Sequence, residues 1–403
     1  MGRNQNIMLT YDEALAQILG GIAPLPPVVL PLAEALGCVL AEDVTAPFPL
    51  PPFANSSMDG FAVRAAELAR LPVTLAVQGD IPAGALSVPA LDAEKVLRIM
   101  TGAPLPPGAD AVVPVEETEM AGSGIRFREA VTAGQCVRPA GEDVVAGAVV
   151  LAAGGLVRAA HVGMAASVGR ASLRVHPRPR VAVLSTGDEL VEPGTALQPG
   201  QIYNSNAYAL AAAVVEAGGV VTHRIHVRDT APALRAALDA GAGTDVLVSS
   251  GGVSVGDFDF VKDVFAERGT LDFWRVAIRP GKPVAFGRWG ETLFFGLPGN
   301  PVSSLVTFEL FARPALRRLA GRVDTARTVI QAVLTEEAAH APGRQSYQRA
   351  VATREGGGYL VRPLSRQGSG MLSALVEADA LLVLAPDVAR FPAGASVPVL
   401  LLD

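Results

Sequence analysis

The stretches VAVLSTGDEL (181–190), DVLVSSGGVSVGDFD (245–259) and TLFFGLPGNPVSSL (292–305) decide the fold, because each joins a strand-like apolar run to a turn of small or polar residues. The second and third lead directly into helical patterns. In an open α/β sheet, ligands bind at the carboxyl ends of the strands. Glycine there lets backbone N–H groups approach a phosphate, and a helix N-terminus adds positive potential. The three turns therefore predict one site of nucleotide or phosphate size, with acidic residues beside it.

The composition is that of a large, acidic chain. Its 403 residues predict two to four domains. The formal net charge of −6 and the isoelectric point of about 5.5 argue against a nucleic-acid binder, which ordinarily has a basic face. Two cysteines, Cys38 and Cys136, predict neither a disulfide framework nor a structural zinc site. No signal pattern is visible and the longest run of low polarity, 144–157, is too short to span a bilayer, so we expect a soluble cytoplasmic protein that binds neither nucleic acid nor membrane.

Hydrophobic periodicity and turn residues divide the chain into parts of different texture. Thr10 and Glu13 predict a capping box ahead of one helix, and Pro31 opens a second helical pattern, LAEALGCVLAEDV. A further helix is predicted over 159–167. The parts are a helical and linker region (1–45 and 147–177), a small β-rich domain (46–146), a three-layer α/β domain with a parallel sheet (178–325) and a barrel-like β domain (326–403).

The turn after the first of the three strands carries Asp188 and Glu189. Carboxylates at a strand end hold hard cations such as Mg²⁺, which favours oxygen ligands and usually bridges to substrate phosphates. The alternative is that one acid only caps the following turn. The pair alone does not decide between these interpretations.

The second and third turns suit a phosphate-bearing ligand more specifically. Asp257 is most simply an N-cap, although that does not explain the double glycine before it. In the third turn, Asn300 predicts an N-cap and Pro301 the first helical position, while Pro298 and Gly299 fix a rigid turn ahead of exposed N–H groups. The candidate residues of the second turn are Ser249, Ser250, Gly251, Gly252, Ser254, Gly256 and Asp259, the last as a ligand for a metal or a hydroxyl.

The segment FWRVAIRPGKP, between the second and third turns, carries three cations. Arg275 and Arg279 are four residues apart on one predicted strand and share a face, and Lys282 follows after a turn. Arginine suits bidentate contact with oxyanions. The alternative is a solvated strand face, but the adjoining turns favour anion binding.

The β-rich part contains further candidates that are individually more typical of structure than of catalysis. They are Asp59 in NSSMDGFAV, Thr101 in MTGAPLPPGADAVVPVEE and Asp143 in AGEDV. The chain contains no credible Ser/His/Asp or Cys/His set, and its five histidines lack metal-ligand spacing.

Taken together, SSMDGFAV, MTGAPLPPGADAVVPVE, AGEDV, STGDEL, SSGGVSVGDFD, AIRPGKP, GLPGNPVSS and a late QGSG closely resemble the molybdopterin molybdenumtransferase family, which includes MoeA and the E domain of gephyrin. The match runs in order from about residue 10 to the C-terminus. It implies an elongated protomer of the four parts above, with molybdopterin bound by the α/β domain. It also implies a homodimer whose site lies between the α/β domain of one subunit and the β domain of the other. The implied reaction inserts molybdate into adenylated molybdopterin with release of AMP, assisted by Mg²⁺.

The resemblance also implies roles for individual residues. Asp59, Thr101 and Asp143 would form the partner-subunit wall, Glu189 and Asp229 would be metal or catalytic acids, and Asp259 would contact a hydroxyl or the pterin. The substrate- and phosphate-binding set would be Thr186, Gly187, Ser250, Gly251, Gly252, Ser254, Arg275, Arg279, Lys282, Pro298, Gly299, Asn300, Pro301, Arg349 and Ser369. The family usually has Lys where this chain has Arg275 and Arg279. Because arginine does not exchange a proton near neutral pH, oxyanion binding is the better assignment for both.

The alternatives are a molybdopterin adenylyltransferase, a non-catalytic scaffold of the same fold and a preference for tungstate over molybdate. A molybdopterin adenylyltransferase would carry a TGGTG-type turn instead of SSGGVSVG, and a non-catalytic scaffold would carry a long fused linker and a further domain. The sequence does not decide between molybdate and tungstate. Expected partners are a molybdopterin adenylyltransferase and molybdoenzyme chaperones.

Overall fold

The computed structural model describes residues 8–252 and 258–402, apart from the side chains of 258–262 and 274. Backbone contacts divide the chain into two compact units. The larger comprises Met1–Ala41, Gly154–Arg158 and Arg174–Asp403, and the smaller comprises Glu42–Ala153 and Ala159–Leu173. No helix within the described residues is both long and apolar enough to cross a membrane.

Most of the predicted helices are present. At α1, the Thr10 hydroxyl accepts from the N–H of Glu13 while the Glu13 carboxylate accepts from the N–H of Thr10, so the predicted capping box is confirmed. The helix predicted over 159–167 is present as α2. The helices are α1 (Tyr11–Gly20), α2 (Ala159–Ser167), α3 (Ser205–Glu216), α4 (Ala231–Ala240), α5 (Phe258–Arg268), α6 (Pro301–Thr307), α7 (Arg313–Leu319) and α8 (Leu372–Glu377), with a π-helical turn, Phe308–Ala312, between α6 and α7.

The prediction of a helix that starts at Pro31 was wrong. That segment forms strands β1 (Val28–Pro31) and β2 (Val39–Leu40), and β13 (Ser172–His176) lies between them in a three-stranded sheet. Gly37 adopts a φ of +78°, which a helix cannot contain, and Val39 pairs with His176. Pairing with a distant strand therefore overrides the local helical pattern.

The α/β part of the larger unit is a six-stranded sheet in the order β17-β14-β18-β22-β21-β19. Alternate side chains of β14 enter different cores: Val181 and Val183 pack in the layer that contains α3 and α6, and Ala182 and Leu184 pack in the layer that contains α4 and α5. The predicted three-layer architecture is thus confirmed. The strands are β14 (Arg180–Thr186), β15 (Leu190–Val191), β16 (Ile202–Tyr203), β17 (Val220–Val227), β18 (Val246–Ser250), β19 (Gly269–Arg275), β20 (Ile278–Arg279), β21 (Pro283–Trp289) and β22 (Thr292–Leu297).

The prediction of a wholly parallel sheet was wrong at one side. β17, β14, β18 and β22 are parallel, but β21 runs antiparallel to both β22 and β19. Trp289 pairs with Thr292, so only two residues join β21 to β22, and Gly290 at the turn has a φ of +59°. A turn this short produces an antiparallel hairpin.

The C-terminal part of the larger unit is a closed five-stranded barrel, as the sequence predicted. Its strands follow the order β25-β26-β23-β29-β27, and β27 pairs back with β25. β20 joins the barrel sheet by pairing with β25 at Gln345 and Ser346. The strands are β23 (Val329–Leu334), β24 (Ala338–Ala339), β25 (Gln345–Glu355), β26 (Gly358–Pro363), β27 (Ala380–Leu384), β28 (Arg390–Phe391) and β29 (Ser396–Leu401).

The smaller unit is built on a six-stranded sheet in the order β8-β5-β7-β6-β10-β9, with apolar cores formed by alternate side chains. β5 starts at Gly60, where a Cβ atom would lie 2.1 Å from the carbonyl oxygen of Val113. Only glycine permits this approach of two strands. The strands are β3 (Val44–Thr45), β4 (Asn55–Ser56), β5 (Gly60–Val63), β6 (Val73–Ile81), β7 (Lys95–Ile99), β8 (Ala111–Pro114), β9 (Thr118–Ala121), β10 (Gly124–Phe127), β11 (Val137–Arg138) and β12 (Val149–Leu151).

Candidate functional site

Three strand-end turns of the larger unit lie against one another. Ser250, at the end of β18, is in register with Ser185 of β14 and with Leu297 of β22. A Cβ on Gly251 would lie 2.6 Å from Thr186 Oγ1, and one on Gly299 would lie 3.6 Å from the Cα of Gly251. The turns therefore meet with almost no side chain between them, and the parallel register is what aligns their ends.

The second turn depends on glycine. Gly251 and Gly252 have φ values of +89° and +67°, which L side chains rarely adopt. The hydroxyl of Thr186, beside both glycines, is buried and finds no hydrogen-bond partner among the described residues. A buried hydroxyl without a partner is unusual. Thr186 and the bare backbone of the turn thus form a polar surface suited to a ligand oxygen.

The third turn starts α6. Asn300 occupies the predicted N-cap position and Pro301 the first turn, but the Asn300 side chain makes no capping hydrogen bond. The N–H of Val302 instead donates to the carbonyl oxygen of Ser369 at 3.0 Å. The predicted N-cap position of Asn300 and first helical position of Pro301 are confirmed, while the QGSG loop of the C-terminal part supplies the acceptor that the Asn300 side chain does not.

Glu189 and Asp229 follow neighbouring strands at the same edge of the sheet, since Thr186 of β14 pairs with Val227 of β17. Both residues are exposed. The Glu189 carboxylate occupies space beside Gly187, where a Cβ would lie 2.5 Å from it. Within the described ranges, no group of three or more His, Cys, Asp or Glu could hold a metal ion. Mg²⁺ commonly takes only one or two carboxylates from the protein and its other ligands from phosphates and water, so a magnesium site at Glu189 and Asp229 stays a prediction.

Asp59 and Thr101 form a pair in the smaller unit. Both the N–H and the hydroxyl of Thr101 donate to Asp59 Oδ1 at 2.7 Å. The backbone hydrogen bond, followed by that of the hydroxyl, lowers the pKa of Asp59 below its usual value. The pair exists because Gly60 of β5 is opposite Ile99 of β7, which brings the two flanking turns together. Asp59 is thus a fixed, exposed anion.

Asp143 lies on a different turn of the smaller unit. It is exposed, and its N–H donates to the carbonyl oxygen of Leu50 at 3.0 Å. No hydrogen bond between described residues joins Asp143 to Asp59 or Thr101. The prediction of a common acidic wall in this unit stays a prediction.

A cavity of about 1220 Å³ lies in the larger unit beside the barrel, and four of the predicted anion-binding residues line it. Ser303, in the first turn of α6, lines it as well, so the helix that follows the third turn reaches this cavity. The charged residues of the wall are Arg279, Lys282, Arg344, Arg349, Arg362 and Arg390, against Glu336 and Glu337, and Ser369 is the fourth predicted residue. The excess of cations over carboxylates gives the cavity wall a net positive charge, which favours an anion over a neutral or cationic ligand.

Arg275 lies apart from that cavity wall. It ends β19, whereas Arg279 ends β20, which pairs with the barrel strand β25. The prediction that both arginines share one face of one strand was wrong. The chain leaves the α/β sheet between them, with Val276 and Ile278 buried, and joins a different sheet.

Arg349 is the most deeply buried charge of the cavity wall, at 1% exposure. Its Nη2 donates to the carbonyl oxygens of Arg366 (2.7 Å) and Gly368 (3.1 Å), and its Nε has no partner among the described residues. Burial lowers the pKa of its guanidinium. None of the ion pairs found among described residues includes Arg349, which leaves its charge available to a ligand.

Four of the residues named from the sequence cannot be placed. Ser254, Gly256 and Asp257 lie outside the described residues, and the side chain of Asp259, near the start of α5, is also outside them.

Sequence reasoning missed several residues that hold these turns. Asn204 and Asn206, in IYNSNAY, make side-chain hydrogen bonds to the first two strand ends. Gln367 accepts from the N–H of Arg349 and donates to the carbonyl oxygens of Arg349 and Leu364. Asparagine after a turn and glutamine before glycine are common in surface loops. Nothing in the local sequence therefore distinguished these amides from ordinary surface residues.

The chain matches three family models in order: the MoeA N-terminal region (domain I and II) over residues 9–169, the probable molybdopterin binding domain over 182–318, and the MoeA C-terminal region (domain IV) over 331–402.

Relatives match over nearly their whole length. The chain is 44% identical over 384 residues to molybdopterin molybdenumtransferase 2 of Mycobacterium tuberculosis, covering 93% of this chain and 94% of that protein. It is 37% identical to the molybdopterin molybdenumtransferase of Haemophilus influenzae, covering 97% and 98%. A solved structure, the molybdopterin biosynthesis moea protein from Pyrococcus horikosii, is 31% identical and superposes with a TM-score of 0.81, covering 98% of this chain and 100% of that one.

Proposed function

This chain belongs to the molybdopterin molybdenumtransferase family, and from that premise we propose that it inserts molybdate into adenylated molybdopterin with release of AMP. Membership makes it a transferase of molybdenum cofactor biosynthesis, as the sequence resemblance implied. Neither an adenylyltransferase nor a non-catalytic scaffold is favoured, because the relatives that match nearly the full chain are named molybdopterin molybdenumtransferases.

One observation carries the assignment of the molybdate subsite: Arg279, Lys282, Arg349 and Ser369 line one cation-rich cavity. Molybdate is a doubly charged oxyanion, and arginine donors of fixed geometry suit it. Arg349 supports this most directly, because a buried guanidinium without a carboxylate is costly until an anion arrives. We propose that the Nε of Arg349 and the Ser369 hydroxyl donate to molybdate.

The strand-end turns are the proposed pterin and phosphate subsite. Gly251 and Gly299 expose backbone at close approach, and α6 starts where the third turn ends. Ser303 of α6 lines the cavity proposed for molybdate. Helix α6 therefore connects the two subsites within the larger unit. In the reaction, the two dithiolene sulfurs bind molybdenum while one molybdate oxygen leaves as water with the two thiol protons. One water cleaves the phosphoanhydride, which releases AMP and leaves the pterin phosphate.

We propose Glu189 and Asp229 as the carboxylates that hold Mg²⁺. When bound, the ion would neutralise charge on the phosphoanhydride. Glu189 is held in place by its backbone, since the N–H of Ile202 donates to its carbonyl oxygen at 2.9 Å. The position at the end of β14, in the same layer of turns as Thr186 and Gly251, supports this role.

We further propose a homodimer in which Asp59, Thr101 and Asp143 of one subunit face the turns of the other. The fixed anionic state of Asp59 supports a role beside a metal-bound or protonated group rather than as a proton donor. A molybdopterin adenylyltransferase would supply the substrate, and molybdoenzyme chaperones would take the product. A cytoplasmic location suits the thiol substrate and the two free cysteines, Cys38 and Cys136.

The test measures, by chromatography, the AMP that is released from adenylated molybdopterin in the presence of molybdate and Mg²⁺. We expect Asp59→Ala and Glu189→Ala each to abolish release, while Asp188→Ala, a neighbouring exposed acid, retains it. Mixing the two inactive chains should restore activity in heterodimers, each of which has one intact site. Unchanged release by Asp59→Ala or Glu189→Ala would contradict the site, and inactive heterodimers would contradict its division between subunits.

A further inference from the structure

Asn206 makes side-chain contacts with two of the strand-end turns. It lies in the first turn of α3 and is half-buried. Its Nδ2 donates to Ser250 Oγ at 2.8 Å and to the carbonyl oxygen of Gly299 at 2.7 Å. A primary amide has two N–H groups, so both are used. One side chain thereby joins the turn after β18 to the turn after β22.

The other hydrogen bonds of the Ser250 side chain are weaker. Ser250 is 2% exposed, and its remaining contacts, to the carbonyl oxygen of Pro298 and with the hydroxyl of Ser304, are both 3.4 Å long. Bonds of that length are near the limit for hydroxyl groups, whose usual separation is about 2.7–2.8 Å. The Asn206 amide is therefore the main polar restraint on the Ser250 hydroxyl.

The backbone holds the two turns together only at their strand ends: the N–H of Gly251 donates to the carbonyl oxygen of Leu297 at 3.1 Å, and among the described residues no backbone hydrogen bond joins Gly251 or Gly252 to Gly299. Gly251 and Gly299 face each other without side chains, and a Cβ on Gly299 would meet the Cα of Gly251 only at 3.6 Å. The first turn has a comparable restraint from Asn204, the N-cap of α3, whose Nδ2 donates to Ser185 Oγ at 2.7 Å. The start of α3 thus contacts the end of β14 through Asn204 and the second and third turns through Asn206.

We propose that Asn206 is a positioning residue that sets the spacing of the second and third turns, so that both contact the phosphate-bearing part of the substrate. This inference rests on the proposed function and deepens it. Asn206 acts through Ser250 and Gly299, and molybdate binding, in a cavity of which Asn206 is not a lining residue, is independent of it.

The test measures KM for each substrate separately. We expect Asn206→Ala to raise KM for adenylated molybdopterin about 10- to 100-fold, the effect of a misplacement near 1 Å, with KM for molybdate unchanged. Asn206→Asp keeps the size but replaces the donor by a carboxylate that repels the Gly299 carbonyl, so it should be at least as impaired. Ser205→Ala, an exposed residue of the same helical turn, is the matched control and should equal wild type.

A double-mutant cycle and a binding measurement complete the test. If Asn206 acts through Ser250, then Asn206→Ala combined with Ser250→Ala should be about as impaired as the worse single variant. AMP binding, measured by calorimetry, should weaken in Asn206→Ala by a similar factor. The positioning role is overturned if Asn206→Asp behaves as wild type, if both KM values rise together with a lower unfolding midpoint, or if the effects are additive. An inactive wild type that still binds AMP in an Asn206-dependent manner would refute the proposed reaction while supporting the positioning role.

Discussion

Arg349→Met separates a binding role from a structural role, because a binding role predicts a small change in stability and a structural role predicts a large loss. The substitution removes a charge that is 1% exposed together with two hydrogen bonds to carbonyl oxygens. Each lost bond to a charged donor costs about 1.5–3 kcal/mol, whereas removing an unpaired buried charge stabilises by several kcal/mol. Because the terms oppose, we expect the free energy of unfolding to change by less than about 2 kcal/mol.

Molybdate affinity should fall much further than stability. Losing one charge-assisted hydrogen bond weakens binding by about 10- to 150-fold. In thermal unfolding, molybdate at about 100 times the wild-type Kd should stabilise wild type by about 2.7 kcal/mol and the variant by only about 0.3–1.4 kcal/mol.

Arg344→Met is the control for loss of charge, because Arg344 is a half-buried residue of the same cavity wall. We expect its molybdate affinity to change by less than about fivefold, the effect of a partly solvated charge. The reasoning is refuted if Arg349→Met loses more than about 4 kcal/mol of stability while molybdate still stabilises it as it does wild type. Arg349 would then be a structural residue.

Other perturbations test other parts of the molecule. Thr101→Val removes one of the two bonds to Asp59, so the pKa of Asp59 should rise and the acid limb of the pH–rate profile should move to higher pH. Gly281→Ala places a Cβ 2.2 Å from a neighbouring side chain at a φ of +101°, and should lower the urea midpoint by an amount equivalent to about 2–5 kcal/mol. A hydrogen bond with Arg322 lowers the pKa of Asp324 from 3.8 to about 2, so this carboxylate stabilises the fold above pH 4, and that contribution is lost as the pH falls towards 2. Urea midpoints between pH 5 and pH 2 should show it.

Each of these predictions has its own comparison. Thr101→Ser keeps the hydroxyl and should titrate as wild type, and an unmoved acid limb in Thr101→Val would contradict the role of that bond. Gly343→Ala has a similar φ of +94° but open space around it, so it should cost about 1–3 kcal/mol, and equal losses at the two glycines would show that the contact at Gly281 is unimportant. Asp324→Asn should flatten the acid dependence, and an unchanged slope would rule out this carboxylate as its source.

Much of the fold follows from local patterns. The capping box of α1 uses neighbouring side chains, and the strand–turn–helix alternation of the α/β part uses period and turn residues that act over a few positions. The segment after Pro31 shows the limit of such patterns: its residues suit a helix, yet Val39 pairs with His176. Hydrogen bonds with a distant strand outweighed a weak local preference.

The sequence by itself determined the three turns and their chemistry, because glycine, serine and proline act on the backbone where they stand. It also determined the family, since the motifs are long and ordered. Only the tertiary structure decided that Arg279 leaves the strand of Arg275, that Arg349 is buried in a cation-rich cavity, and that the amide of Asn206 joins two of the turns. These features depend on contacts between residues far apart in the chain, and a side chain's distant partner is not encoded in its own neighbourhood.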